Sequence, residues 1–248
     1  MNQNPFIPLE KADTVIVAGN CDEEVLSSLR KLRLEIIPTC RCPDVDQSIA
    51  YHPDIVIHPV NHNTLVIAPN VFDYYKEVLS GKNIKLIKGE RELKVKYPYD
   101  IAYNVGRVEN FALHRLDSTD EVLKFYLEKE GLEFINVRQG YTKCSMAIID
   151  EGSVITSDIP IYNILREKGI DVLLISPGYI DLEYQDYGFI GGATGNFSKD
   201  TVLVSGLFHN HPDGERILNF IKSKNLDIYF LSSKNIVDLG TLITLNCH

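Results

Sequence analysis

One pattern recurs five times along the chain: a capped amphipathic helix, a short connection and an aliphatic strand. The helices start near Asp22, Asn70, Ser118, Ser157 and Asp213, at spacings of about 48, 48, 39 and 56 residues. The strands that follow are Leu34–Pro38, Ile84–Ile87, Phe134–Val137, Val172–Ile175 and Ile228–Leu231. Apolar residues spaced near 3.6 carry the helix readings, as with Val122, Leu123, Tyr126 and Leu127. Ser118-Thr-Asp-Glu121 fits a capping box, Asn70 an N-cap, and Pro160 a first helical turn. Gly81, Gly131 and Gly169 stand where a left-handed C-cap ends a helix.

Between successive helices there is room for two more strands. Ile55–His58 precedes Thr64–Ile67, Ile101–Val105 precedes Val108–Leu113, Ser145–Ile149 precedes Ser153–Thr156, and Phe189–Ile190 precedes Thr201–Val204. Asn61-His-Asn63, Gly106-Arg107 and Asp150-Glu-Gly152 supply the turns. Each unit therefore reads strand, strand, helix, strand. The first unit has a single strand, Thr14–Ala18, before its helix, and the chain ends on a surplus strand, Thr241–Leu245. These ends are complementary. The expectation is one α/β domain over residues 1–248, with units at about 14–39, 54–88, 100–137, 144–176 and 188–232 and a closing strand at 241–245. A five-fold ring closed by pairing the chain ends would also remove exposed sheet edges.

The 248 residues can bury enough surface to fold without disulfides or metal. Apolar runs fall far short of the ~20 residues of a membrane span. A net charge of -9 without a basic block disfavours nucleic acid and anionic membranes as partners. Met1–Gly19 lacks the layout of a signal peptide, and five cysteines, an odd number, read as reduced thiols in a cytoplasmic protein.

Five ββαβ units about a pseudo-five-fold axis resemble the pentein, or α/β-propeller, superfamily over residues 14 to 245. That fold is shared by guanidino-group-modifying enzymes and by ribosome anti-association factors. The segments Gly140-Tyr-Thr-Lys-Cys-Ser145, Ile155-Thr-Ser-Asp158, Gly188-Phe-Ile-Gly-Gly192, His211-Pro-Asp213 and Asp238-Leu-Gly240 resemble those of an uncharacterised bacterial family with this fold. The enzymes use a thiolate to attack the guanidino carbon, a His as acid and base, and carboxylates to hold the planar cation. Many deiminases carry a His-x-Asp motif one unit before the catalytic Cys, and His211-Pro-Asp213 matches it in type, spacing and unit. The match is incomplete. Thr241–Thr244 follow Gly240 where the enzymes place their Cys, Cys247 and His248 lie beyond, and Ile190 and Ala193 flank Gly191-Gly192 where the enzymes have carboxylates.

The resemblance thus implies a central polar pocket for a small guanidino or amidino cation, with His211 and a displaced nucleophile, Cys144, as catalytic candidates. Asp213, Asp158 and Asn104 are the ligand-binding candidates. Each has a bland alternative: Cys144 as a buried small residue, His211 with Asp213, and Asp158, as helix caps, Asn104 as an edge residue. The alternatives to simple ligand binding are a guanidino hydrolase or amidinotransferase, and a non-catalytic protein- or ribosome-binding pentein. No cofactor is expected. No metal is expected either, because Cys40-Arg-Cys42 is too tightly spaced to chelate with His52, His58 and His62. Gly188–Gly195 has no helix directly after it and reads as a hairpin or close approach rather than a phosphate cradle. Tyr179, Tyr184 and Tyr187 read as a loop cluster that packs on the ring or lines a pocket mouth.

Overall fold

The structure, a computed structural model, describes residues 3–247; His248 lies outside the described residues. The first unit is β1 (Thr14–Val17), α1 (Glu23–Lys31) and β2 (Glu35–Pro38). The second is α2 (Pro53–Val56), β3 (Ile57–Asn61), β4 (Thr64–Ile67), α3 (Phe72–Val78) and β5 (Lys85–Lys88). The third is β6 (Gly106–Val108), β7 (Phe111–His114), α4 (Glu121–Lys129) and β8 (Glu133–Asn136). The fourth is α5 (Thr142–Ser145), β9 (Met146–Asp150), β10 (Ser153–Thr156), α6 (Ile159–Glu167) and β11 (Asp171–Leu174). The fifth is β12 (Thr194–Ser198), β13 (Thr201–Val204), α7 (Gly214–Ser223) and β14 (Asp227–Phe230), and β15 (Ile243–Leu245) follows it.

These strands make five separate three-stranded sheets: β3-β4-β5, β6-β7-β8, β9-β10-β11, β12-β13-β14 and β15-β1-β2. The leading pair of each is antiparallel and the trailing pair parallel, as with Val66↔His58 and Val66↔Ile87. A parallel pair needs a crossover, which is why a helix separates its two strands in the chain. β15 pairs antiparallel with β1, Val15 opposite Thr244, and so supplies the first sheet's missing strand. The middle strands are buried at their centres: Val15, Leu65, Ala112, Val154 and Leu203 expose nothing. The leading strands lie innermost, β12 against both β9 and β15, and β9 against β6.

Several local expectations shift. Ser118 does not cap α4; Asp120 does, accepting from Leu123 N at 2.8 Å, while its other oxygen ties down Glu90 N and Arg91 N. A carboxylate is the better acceptor, and two loop amides hold it in place. Asn70 does not cap α3 either; its amide bridges Asp44 and Leu93. The segments 101–105 and 189–190 are not strands, and Gly106-Arg107 starts β6 rather than turning. Ile55 and Val56 belong to the single turn of α2 before β3 begins.

Candidate functional site

The five segments that lead into the inner strands meet one another, and each bonds its neighbour. Asp54 N donates to Gly240 O (3.1 Å), and Asn104 Nδ2 to Asp54 O (3.1 Å). Lys143 N donates to Asn104 O (3.3 Å), Gly191 N to Cys144 O (2.7 Å), and Thr241 N to Gly192 O (2.7 Å). Backbone this close leaves no room for side chains at two points. A Cβ on Gly191 would stand 2.3 Å from Lys143 O, and one on Gly192 1.8 Å from Asp238 Oδ1. The Gly188–Gly195 stretch is therefore a close approach, one of the two readings its composition allowed.

Where these segments meet, five ionisable side chains gather. Cys144 Sγ donates to Asp54 Oδ2 at 3.0 Å and accepts from Asn104 Nδ2 at 3.1 Å. Asn104 Oδ1 in turn accepts from the amides of Lys143 (2.8 Å) and Cys144 (3.2 Å), which fixes its flip and holds the thiol. His52, Asp54 and Cys144 each place a ligating atom within 4.8 Å of the others. They are 5%, 1% and 2% exposed. His52 Nδ1 and Asp54 Oδ1 have no hydrogen-bond partner among the described residues. Lys143 turns its ammonium toward Thr241 Oγ1 (2.5 Å) and Gly191 O (3.1 Å). Asp238 Oδ1 lies 3.8 Å from His52 Nδ1 and accepts from Gly240 N, while Oδ2 accepts from Phe189 N, both at 2.8 Å.

Burial governs the titration here. It raises Asp54 above the usual carboxylate range, against the pull of Lys143 and His52. It lowers Lys143, against Asp54, Cys144 and Asp238. It pushes the Cys144 thiol well up, and the charges of Asp54 and Asp238 add to this. The resting thiol is thus protonated and becomes nucleophilic only once a cation or base relieves it.

A cavity of about 350 Å³ opens over this cluster. Its walls include His52, Cys144 and Asp238, the aromatic residues Tyr141, Tyr187 and Phe189, and the carboxylates of Asp46 and Asp186. The ring of Phe189 lies 6.4 Å from those of Tyr141 and Tyr187. A cavity of about 460 Å³ adjoins it and shares Ser48, His52, Leu182 and Asp238. A larger one of about 990 Å³ lies among Gln3, Ile7, Glu109, Asn110, Asp150, Glu151 and Lys199. It has neither thiol nor imidazole in its walls, so the smaller cavity is the candidate.

Of the residues singled out in the sequence, the structure brings Asn104 and Cys144 together. It does not bring His211, Asp213 or Asp158 to them. His211 and Asp213 stand at the start of α7, behind β13. The His211 ring takes the Asp213 amide on Nδ1 (3.1 Å) and packs against Tyr179. Asp213 accepts from Ser176 N at 2.7 Å and pairs with Arg216. These bonds, the Ser176 amide above all, hold its carboxyl below the usual range. Asp158 caps α6 through Ile161 N (2.9 Å) and meets Gln139. The one pocket expected to hold all five is thus corrected: strand exits and helix starts keep three of them outside the inner layer. Among the described residues, Cys40 and Cys42 group with no imidazole; His62 bonds Ile7 O, and His58 packs edge-on to Phe6. Tyr187 lines the cavity, and Tyr184 lines its neighbour. Sequence reasoning missed His52, Asp54, Lys143 and Asp238. The available signal was a second copy of the same tripeptide, His52-Pro53-Asp54.

A family model described as a family of unknown function, DUF6873, matches residues 16–243, and the chain belongs to that family. No curated protein matches it. Among solved structures, it is similar to inosamine-phosphate amidinotransferase from Streptomyces griseus, with TM-score 0.59, 12% identity, and coverage of 99% of this chain and 96% of that one. Agmatine deiminase from C. jejuni with substrate bound gives TM-score 0.56 and 13% identity, over 94% of this chain and 91% of that one. DDAH from Pseudomonas aeruginosa complexed with citrulline gives 0.52 and 11%, over 88% and 91%. The chain has the pentein fold of these proteins.

Proposed function

We propose that this member of DUF6873 is a single pentein domain whose sheets stand about a pseudo-five-fold axis, and that the cavity over Cys144 binds a small guanidino or amidino cation. The closed chain of bonds from Gly240 through Asp54, Asn104, Lys143 and Gly191 to Thr241 supports the axis. So does the pairing of β15 with β1. Deleting Thr241–Leu245 should abolish cooperative unfolding; a truncated protein with an unchanged melting temperature counts against closure.

The observation that carries the binding reading is the Asp238 carboxylate at the cavity wall. Each of its oxygens takes one backbone N–H, which leaves lone pairs free for the paired N–H groups of a guanidinium. Aromatic faces at Tyr141, Tyr187 and Phe189 suit a planar cation. The named activities of the structural neighbours, amidino transfer and agmatine deimination, favour the same ligand class. Five free cysteines suit a reducing cytoplasm. Calorimetry with agmatine and arginine tests the reading. Asp238→Asn should weaken binding by about 1.5–3 kcal/mol, the scale of one charge-assisted bond, and Asp213→Asn should leave it unchanged. No binding, or equal loss in both variants, overturns it.

The thiol beside His52 and Asp54 favours a second reading, amidino chemistry. His52 would take the Cys144 proton as sulfur bonds the amidino carbon. It would return that proton to the departing amine as the C–N bond breaks. Water or an acceptor amine then displaces sulfur and restores the thiol. Cys144→Ala should abolish turnover of any substrate found and leave its binding nearly intact.

A further inference from the structure

We propose that the His52 imidazole, the Asp54 carboxylate and the Cys144 thiolate form a site for a thiophilic divalent cation of the zinc type, and that a metal held there excludes a guanidino ligand from the same cavity. Three donors of three kinds face one point, and the fourth position opens toward the cavity that His52 and Cys144 line. Three protein ligands with one open position is the arrangement of reactive rather than purely structural zinc sites.

Two atoms of these side chains are buried without a partner. His52 Nδ1 and Asp54 Oδ1 lack a hydrogen bond among the described residues, at a cost of about 1–3 kcal/mol for each buried group left unpaired. A metal ion bound through these two atoms would satisfy both at once. The distances permit it: the donor atoms lie within 4.8 Å of one another. Metal–ligand bonds of 2.0–2.3 Å in a tetrahedron separate the donors by roughly 3.3–3.8 Å. Donors as far apart as 4.8 Å must therefore close by roughly 1 Å as the metal binds.

Charge and softness point the same way. A thiolate and a carboxylate together neutralise a divalent ion, and Asp238 balances the ammonium of Lys143. That ammonium is already turned to Thr241 and Gly191. A hard cation such as magnesium would find one carboxylate and a nearby positive charge, whereas the thiolate selects a soft or borderline ion. Outer support is present as well: Asn104 donates to Cys144 Sγ and is itself fixed by two amides. The thiol releases its proton to solvent as the metal binds. Exclusion follows from proximity, since His52 Nδ1 stands 3.8 Å from the Asp238 oxygen proposed to hold the guanidinium. Two cations there repel.

The test is a cobalt titration of the full chain after chelator treatment. One equivalent should bind and give tetrahedral visible bands with a thiolate-to-cobalt charge-transfer band, and zinc should displace it. Cys144→Ser should lose the charge-transfer band and weaken binding by more than about a hundredfold, beyond what loss of a ligand's outer partners costs. Asp54→Asn should weaken binding and keep the band, and Cys40→Ser should change neither. Substoichiometric binding by the wild type, a band retained in Cys144→Ser, or a band lost in Cys40→Ser overturns the site. The exclusion rests on the guanidino reading and has its own arm. If agmatine binds and zinc does not lower its affinity, the exclusion falls. If agmatine does not bind at all, that reading fails and the cobalt result alone judges the metal site.

Discussion

The tripeptide His-Pro-Asp occurs twice, at 52–54 and 211–213, and the two copies live in opposite circumstances. The first leads into an inner strand, β3, through the single turn of α2. The second follows a middle strand, β13, and starts the outer helix α7. Both aspartates are largely buried, at 1% and 8% exposure. Asp213 is saturated by the Ser176 amide and Arg216, and its carboxyl sits low. Asp54 has a thiol on one oxygen and no partner among the described residues on the other, and its carboxyl sits high. Identical chemistry thus becomes a satisfied brace in one place and a buried, unsatisfied cluster in the other. Strand position decides which: only the inner strands bring their lead-in segments together.

A glycine packs on the first copy and another follows the second in sequence, which gives the comparison its largest expected effect. Gly240 has φ +67°, and a Cβ there would meet His52 Cβ at 2.2 Å. Gly240→Ala therefore combines left-handed strain with a clash against rigid packing, and should cost about 3 kcal/mol or more. Gly214 is helical, and its Cβ would meet Phe208 O at 2.9 Å. There the crowding acts without left-handed strain, so Gly214→Ala should cost less than Gly240→Ala. Urea unfolding of both variants measures this. Equal losses would mean that the first copy is no more tightly seated than the second.

Thiol reactivity is the next step down. The burial that raises Cys144 should make it the slowest of the cysteines toward alkylation at neutral pH, slower than the half-exposed Cys40. Asp54→Asn removes a neighbouring negative charge and should speed Cys144 alkylation several-fold, while Asp213→Asn should leave it alone. Mass spectrometry of timed alkylation decides. Acceleration in the Asp213 variant would erase the distinction between the copies.

Much of the fold was legible because repetition carries it. Apolar spacing marks all five long helices, and the strands after them fall within a residue or two of their observed bounds. The lead-in segments were not legible. Residues 101–105 and 189–190 look like strands because they are mostly apolar, yet that apolarity reflects burial: all but Phe189 are buried where five segments converge. The site suffered from the same cause. Cys144 and Asn104 stood out as single residues, whereas nothing local separates His52-Pro53-Asp54 from His211-Pro-Asp213. Only the pairing of Asp54 with Cys144, 90 residues apart, tells the copies apart.

The smallest expected effect is one of sign. A carboxyl raised in the folded state, as at Asp54, keeps its proton to higher pH there than in the unfolded chain. Above about pH 4, the unfolded value, the folded state binds more protons, so this group makes stability fall as pH rises toward its folded pKa. Asp54→Asn removes that slope, and the variant should gain on the wild type as pH rises. A carboxyl lowered in the folded state, as at Asp213, works in reverse. Its stabilisation is complete above about pH 4 and disappears as pH falls through the lowered value. Asp213→Asn should therefore be weakest relative to the wild type at neutral pH and approach it in acid. Lys143, His52, Asp238 and Cys144 face the first group, while Arg216 and His211 face the second. Urea midpoints of the three proteins from roughly pH 3 to pH 8 should give difference curves of opposite slope. Parallel curves would mean that the first tripeptide, like the second, is a satisfied brace, and that the cluster around Cys144 carries no unbalanced charge.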